Sequence, residues 1–484
     1  MRRGELQEVE LVDRAPVADP PAPGRSRTRR RLWLAGGAAA VVLLLGGVQA
    51  VLSAREDAAV ARLQVVPGVL RPVDDTLEVV RRLTPDDTAT LTGQAEGALV
   101  PDEDGGLTYR WFAPGDLGWT ARLDPPTGAP TDQAGVLGAS ACQTDDGTED
   151  ARRIVCLVKN GAQVVPGSGE LRTATTTEAV VLDASGGTTL ARWPLDHGTS
   201  VAPFPGDLVV VASATAQTLL VTGHDAPTGA QRWTFREPSG PGPAGLSVFR
   251  AGDLVGVATP VGELRLLSHD GVLVRDDLAL VGTAVPGSPG LRWGWGTAPD
   301  RSLVVVRQTA GRIRSTLVAA NGDPAADRTV DGEIVPSAVD DGSVPNLLLT
   351  ADRSVHAWDA RSGRARWSAD LTSTTDALVL RGRVYLTTTA REVVALDGRS
   401  GREVWRSDPL DGLSPVALLT DAAHVLVATV RTSVGTEPAL VAYETASGDE
   451  AFRAPYPPGV TDLHVLGHTL VGRDEESSEQ VELG

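Results

Sequence analysis

Seven histidines, two cysteines and a few acidic runs are the side chains from which this 484-residue chain could build chemistry. His464 and His468 stand four apart, the spacing at which two imidazoles on one helical face hold zinc. The sequence around them reads as strand–turn–strand, and no glutamate follows in the pattern of a zinc protease. Asp102-Glu103-Asp104-Gly105-Gly106 and Asp145-Asp146-Gly147 resemble fragments of calcium loops without completing the ligand spacing, and acidic turns account for both. His224 and His269 each precede a turn aspartate, Asp225 and Asp270, in successive repeats. A pair related by one repeat could contact a ligand or sense pH, and exposed strand ends are the plainer account. Cys142 and Cys156 flank a segment that begins Asp/Gly-rich, like a hairpin loop. A disulfide across paired strands is expected there, with two free buried thiols as the alternative. No nucleophile elbow, P-loop or dinucleotide fingerprint stands in a strand–helix setting. No catalytic, cofactor-binding or metal-binding residue is assigned.

The elements that must position these residues form a repeat. The pattern Ala-x-Asp-x-x-Ser/Thr-Gly-x-x-x-Trp runs through Ala357, Asp359, Ser362, Gly363 and Trp367, then again through Ala395, Asp397, Ser400, Gly401 and Trp405. An apolar strand ends at the aspartate, whose carboxylate accepts from N–H groups of the turn. The glycine supplies a positive φ, and the next strand carries the tryptophan. Gly223, Asp225, Thr228, Gly229 and Trp233 match, with Gly for Ala; Ala442, Glu444, Ser447, Gly448 and Phe452 match, with Glu for Asp and Phe for Trp. Gly115 to Trp119 keeps the second half, and Asp183 to Trp193 has extra residues in the turn. Asp270-Gly271 and Asn321-Gly322 read as hairpins with decayed turns. Steps of roughly 40 to 50 residues between these turns suit a β-propeller blade.

This pattern resembles the Trp-docking motif of the pyrroloquinoline-quinone-like repeat, found in quinoprotein dehydrogenases and in non-enzymatic propellers. The resemblance covers most of residues 80–484. It implies that the aromatic of one blade packs on the turn of its neighbour, so Trp119, Trp193, Trp233, Trp367, Trp405 and Phe452 are structural. The expected fold is all-β: a propeller of about eight four-stranded blades, or seven, with Thr76–Leu83 completing the blade begun by residues 462–484. In the dehydrogenases adjacent cysteines form a vicinal disulfide, Glu and Asn hold calcium, and an Asp base stands nearby. Here the cysteines are far apart and the long inserted loops are missing, so neither catalysis nor a cofactor is expected. Non-enzymatic members include the lipoprotein scaffold of outer-membrane β-barrel assembly.

Residues 1–31 are rich in Pro, Arg and acids and are expected to be a disordered cytoplasmic tail. Leu32 to Leu52 is an uncharged apolar run long enough to span a membrane. Arg25, Arg27, Arg29, Arg30 and Arg31 before it place the N-terminus inside and the remainder outside. A cleaved signal peptide ending near Ala50 is the alternative. Residues 53–75 read as a stalk and 76–484 as the extracytoplasmic propeller. Lys159 is the only lysine; every other basic side chain is arginine. Eight arginines against five acids give residues 1–31 a net +3, so the overall −18 leaves −21 on residues 32–484. Such a surface argues against nucleic acid or anionic lipid as ligand. The expectation is a single-pass cell-membrane protein that binds an envelope protein as a non-catalytic scaffold. The alternatives are a quinone- or calcium-dependent dehydrogenase and a small-ligand envelope sensor.

Overall fold

Short runs of Val, Leu and Ala, broken every few residues by Gly, Asp or Asn, favour paired strands over helices. The computed structural model describes residues 58, 60–92, 96–102, 106–113, 116–124, 126, 141–144, 152–159, 163–164, 171–172, 177–195, 200–214, 217–238, 246–259, 262–278, 293–297, 302–309, 312–373, 375–433, 436–474 and 479–484. The chain divides at Ala61 and Arg62, and the sheets belong to Arg62–Gly484. The expected tail and membrane span lie outside the described residues. Among the described residues no helix is long and apolar enough to cross a membrane.

The strands assemble in chain order. The first sheet has three strands: Glu96–Pro101, Leu107–Ala113 and Asp116–Leu123. Eight sheets of four or five strands follow, besides a small hairpin of Gln163–Val164 with Leu171–Arg172. Among the described residues there are thus nine sheets of three or more strands, one more than the roughly eight four-stranded blades, or seven, that the sequence leads one to expect. The second sheet runs from Ala141–Thr144 to Thr189–Leu195, the third from Ser200–Phe204 to Gln231–Pro238, and the fourth from Ser247–Ala251 to Leu273–Arg275. The fifth runs from Trp293–Thr297 to Arg328–Asp331, and the sixth from Glu333–Val335 to Ala365–Ala369. In the seventh, Ala377–Leu380 to Glu403–Arg406, a fifth strand, Ser337–Asp340, pairs in parallel with the first. The eighth runs from Leu413–Thr420 to Glu450–Pro455.

The ninth sheet joins the two ends of this series. Val460–Leu466, Thr469–Asp474 and Gln480–Leu483 are completed by Val79–Arg82, antiparallel to the last of them. Arg81 binds Glu482 at 2.7 Å across this pair. Helix α1, Pro85–Thr92, follows at once. Its start is a capping box: Thr84 Oγ1 accepts from Asp87 N at 3.2 Å, and Asp87 Oδ2 accepts from Thr84 N at 2.9 Å. The helix lies against Glu96–Pro101 and Leu107–Ala113 of the first sheet and against Val460–Leu466 of the ninth.

Burial follows from this stacking. Second strands such as Leu208–Ala214 and Leu254–Ala258 are apolar almost throughout because a neighbouring sheet covers each face. The outer strand Gln231–Pro238 alternates half-buried and exposed residues instead. The segment read as a stalk contributes to the core at its C-terminal end. Val69 and Leu70 are buried, Leu70 N donates to Thr420 O at 2.7 Å, and Arg71 N donates to His468 O at 2.9 Å.

Cys142 and Cys156 face each other in register on the first two strands of the second sheet and form a disulfide. Replacing both by serine is expected to cost about 3 kcal/mol in the chain-entropy account. Urea unfolding of the two forms measures this, and equal midpoints would contradict it.

Candidate functional site

The repeated turns come first, because most of the singled-out residues meet there. In Asp397–Gly401 the carboxylate accepts from Ser400 N at 2.9 Å and Ser400 Oγ at 2.6 Å. Asp359 holds Ser362 at 2.9 and 2.8 Å, Asp225 holds Thr228 at 3.2 and 2.7 Å, and Asp183 holds Ser185 at 2.8 and 2.6 Å. The chain then passes through a glycine with φ of 70° at Gly401, 69° at Gly229, 66° at Gly363 and 80° at Gly448. Where a Cβ would stand on all of these but Gly363, an indole of the preceding sheet is seated. A Cβ on Gly187, Gly401 or Gly448 would lie 2.3, 2.6 or 2.4 Å from the ring of Trp119, Trp367 or Trp405.

Each indole N–H then donates to the carbonyl just after the turn's first residue. Trp119 reaches Ala184 at 2.8 Å, Trp367 reaches Gly398 at 3.0 Å and Trp405 reaches Thr445 at 3.1 Å. Trp233 makes the same contact with His269 at 2.7 Å, over Gly271. In four of the sheets a small residue stands opposite the aromatic ring. Gly223 faces Trp233, Ala357 faces Trp367, Ala395 faces Trp405 and Ala442 faces Phe452. Opposite Trp119 stands Trp111, whose ring stacks on it at 6.1 Å. Phe452 packs on the core shared by the eighth and ninth sheets.

Three junctions depart from the pattern, one through register and two through residue type. Trp193 sits two residues beyond the usual position, opposite Ala179, while Ala191 faces Val181. Two residues keep the face but move the ring about 7 Å along the strand. It therefore stacks on His224 at 5.4 Å, and its buried N–H has no partner among the described residues. In the fourth and fifth sheets the tryptophan position is occupied by arginine: Arg275 faces Leu266 and Arg328 faces Leu317. Arg328 donates to Ala360 O, the carbonyl an indole would take, and its Cβ and Cγ lie 3.6 and 3.8 Å from the Cβ position of Gly363. Arg275, its side chain 4% exposed, donates to Gly322 O at 3.2 Å and to Asp327 at 3.0 Å, while Val274 covers Gly322. Gly363 thus docks an arginine, not a tryptophan. Counting four residues on from Gly271 would have found Arg275.

His224 and His269 do not occupy equivalent places. The turn at Ser268–Gly271 closes Gly271 N onto Ser268 O, one residue tighter than Gly229 N onto Asp225 O. His269 therefore falls inside its turn, with its ring edge-on to Phe204 at 6.0 Å. His224 stays on its strand, held by Gly229 O at 3.1 Å and Thr222 Oγ1 at 2.9 Å.

A cavity of about 850 Å³ opens on the first strands of the eighth and ninth sheets, the added strand of the seventh and the end of α1. Its walls include Val339, Val416, Leu463 and Val465; its polar groups are Thr90, Thr92, Thr375, Asp376, His464 and His468. His464 and His468 reach the cavity from a strand and the following turn, and His468 Nδ1 is engaged by Val69 O at 2.7 Å. Burial pushes the His464 imidazole down and the Asp376 carboxyl up. Among the described residues no three His, Cys, Asp or Glu side chains are gathered to hold a metal. Pyrroloquinoline quinone carries three carboxylates, which call for cationic partners. Among the described residues this lining holds Asp376 and no arginine or lysine, so it does not fit that group.

Two predictions follow from the turns and clasps. Arg328→Trp alone is expected to destabilise by about 1–3 kcal/mol, because Leu317 fills the space beneath the ring. Adding Leu317→Ala should recover at least about 1 kcal/mol relative to the sum of the single changes; additive unfolding energies would refute the register assignment. The turn carboxylates also set an acid limit. Arg232 and Thr228 hold Asp225 below the usual carboxylate range, Arg366 and Ser362 hold Asp359 there, Ser185 holds Asp183, and Ser400 holds Asp397. Their contribution is complete above the unfolded value of about 3.9 and is lost as pH falls through the depressed folded values. The melting temperature should drop below about pH 4, less steeply in Asp397→Asn, which keeps an acceptor without titrating. An equal slope would refute this role.

A family model described as outer membrane protein assembly factor BamB matches residues 279–458 and 389–479. No protein of curated description matches the sequence. Among solved structures, BamB from Moraxella catarrhalis aligns over 84% of this chain and 97% of its own at 17% identity, with a TM-score of 0.36. The computationally designed Ika8 protein aligns over 87% and 96% at 12% identity, TM-score 0.30. The dihydro-heme d1 dehydrogenase NirN aligns over 63% and 71% at 17% identity, TM-score 0.33. The family match thus covers residues 279–479, and the docking turns at Gly363, Gly401 and Gly448 lie within it.

Proposed function

We propose that the chain is a non-catalytic scaffold: a closed propeller, held at the cell membrane by residues 32–52, that binds an envelope protein outside the cytoplasm. The observation that carries this reading is the match of residues 279–479 to an assembly-factor family. Three features support it. The apolar run of residues 32–52 follows an arginine cluster, as in an N-in anchor. The contact of α1 with both the first and the ninth sheets is one that ring closure requires. Among the described residues the cavity lining holds no arginine or lysine to pair a quinone cofactor's carboxylates. Stacked sheets hold their connecting loops rigidly, and such loops make a stable protein-binding face.

In-cell crosslinking of the full chain, followed by mass spectrometry of the captured proteins, tests the reading. A few reproducible envelope partners are expected. They should be lost when residues 32–52 are exchanged for a cleaved signal peptide. Capture no greater than background from the anchored form would overturn it.

A further inference from the structure

The docking turns of the sixth and seventh sheets share Asp-x-Arg-Ser-Gly-Arg, a run found nowhere else in the chain: Arg361 and Arg364 in one turn, Arg399 and Arg402 in the next. The same two positions hold Pro227 and Ala230 in the third sheet and Ala446 and Asp449 in the eighth. All four arginines are exposed. Trp367 of the sixth sheet lies on Gly401 of the seventh, so the two turns are direct neighbours. Arg381, also exposed, adjoins them. It sits between the first two antiparallel strands of the seventh sheet, in a turn joined to the docking turn by Gly398 N on Gly382 O at 2.8 Å. The acids of this sector are committed to their own turns. Asp359 holds Ser362 and Arg366, and Asp397 holds Ser400. Asp340 accepts from Gly342 N at 2.8 Å, and Asp341 from Ser343 N at 2.9 Å and Arg381 N at 2.7 Å. Among the described residues no ion pair reaches the guanidinium of Arg361, Arg364, Arg381, Arg399 or Arg402. These differ from single exposed arginines in standing together on three adjoining turns, on a chain whose net charge is −18. The docking turns on either side are acidic, with Glu444 and Asp449 exposed on the eighth sheet and Asp323 on the fifth.

We propose that this sector binds an extended, carboxylate-rich segment of a partner protein. Arg361 and Arg364 pair its acids at one turn, and Arg399 and Arg402 at the next. Each guanidinium can take a carboxylate through two parallel N–H donors. Neighbouring sheets pack about 10 Å apart, so a segment of about four residues, at roughly 3.3 Å each, reaches from one turn to the other. The acidic turns on both sides repel a broad anionic surface such as a lipid bilayer and leave room for a narrow chain. That the segment belongs to a protein rests on the scaffold reading; its charge and its place on the molecule do not.

Fluorescence anisotropy of a labelled octaglutamate peptide with the full chain in neutral detergent tests it. Saturable binding that weakens as salt rises is expected, and a neutral Gly-Ser octapeptide should not bind. Arg399→Glu with Arg402→Glu should weaken octaglutamate at least about tenfold. Arg312→Glu with Arg353→Glu makes the same change of charge at exposed positions on the opposite ends of their strands, and should leave binding unchanged. Arg361→Ala with Arg364→Ala should weaken it about threefold or more, and decides the matter if the glutamate variant fails to fold. No saturable binding of octaglutamate, an equal loss in the Arg312 and Arg353 control, or undiminished binding in both sector variants would overturn the assignment. So would tighter binding to phosphatidylglycerol vesicles that is lost in the same variants. In cells, Arg399→Glu with Arg402→Glu should lose at least one envelope crosslink. Unchanged crosslinks from a variant that no longer binds the peptide overturn this assignment and leave the scaffold reading intact. Absence of crosslinks from the native chain overturns the scaffold reading, while the titration still decides whether the sector binds an acidic segment.

Discussion

The structure depends on one contact repeated between neighbouring sheets: an indole N–H on the carbonyl behind a turn aspartate, with the ring lying over the turn's glycine. A four-stranded sheet whose second strand is apolar on both faces cannot be stable alone, and the next sheet must cover it. Apolar packing alone is indifferent to small rotations. The indole supplies direction, because its single N–H reaches the carbonyl only when the ring lies flat over the glycine, as Trp405 does over Gly448. The aspartate–serine bonds then matter at a distance, since they hold the carbonyl and the glycine in place together.

Arginine can take over this contact because it offers both parts. Its stem covers the glycine as an apolar surface, and its planar head donates to the carbonyl. Arg328 does both against Gly363 and Ala360. Its charge must then be compensated or exposed, and the two sites resolve this differently. Arg328 keeps partial exposure. Arg275 is buried and needs Asp327 from the next sheet and Asp277 from its own strand end. Breaking such a pair by removing one partner costs more than the pair gained, so Asp327 is as much part of that junction as Arg275.

Much of this was legible because its causes are local. The spacing from Asp397 through Gly401 to Trp405 encodes a turn and the strand after it, both set within a few residues. Gly223 in place of alanine was visible, and the ring of Trp233 over it explains the exchange. What escaped depended on register or on distant segments. Trp193 has the right type at the wrong position, and only the pairing with Ala179 shows the displacement. Arg275 and Arg328 keep the position while losing the aromatic type, so a search for aromatics passes over them. His224 and His269 looked equivalent beside an aspartate, and a turn shorter by one residue separates them. The cavity could not be foreseen, because Thr90, Asp376, Val416 and His464 come together only through the order of the sheets.

The same division bears on function. The motif constrains the turns and last strands, where each sheet is fastened to its neighbour, and says nothing about the first strands, which line the cavity. Residues there can change without loosening a single clasp, so one repeat architecture can hold a carboxylate-rich cofactor in one chain and reject it in another. In this chain Arg232 and Arg366 fasten turn aspartates from the outer strands, and Arg328 replaces an indole. Among the described residues no arginine lines the cavity. The fold follows from the part of the repeat that recurs, and the chemistry open to this protein follows from the part that does not.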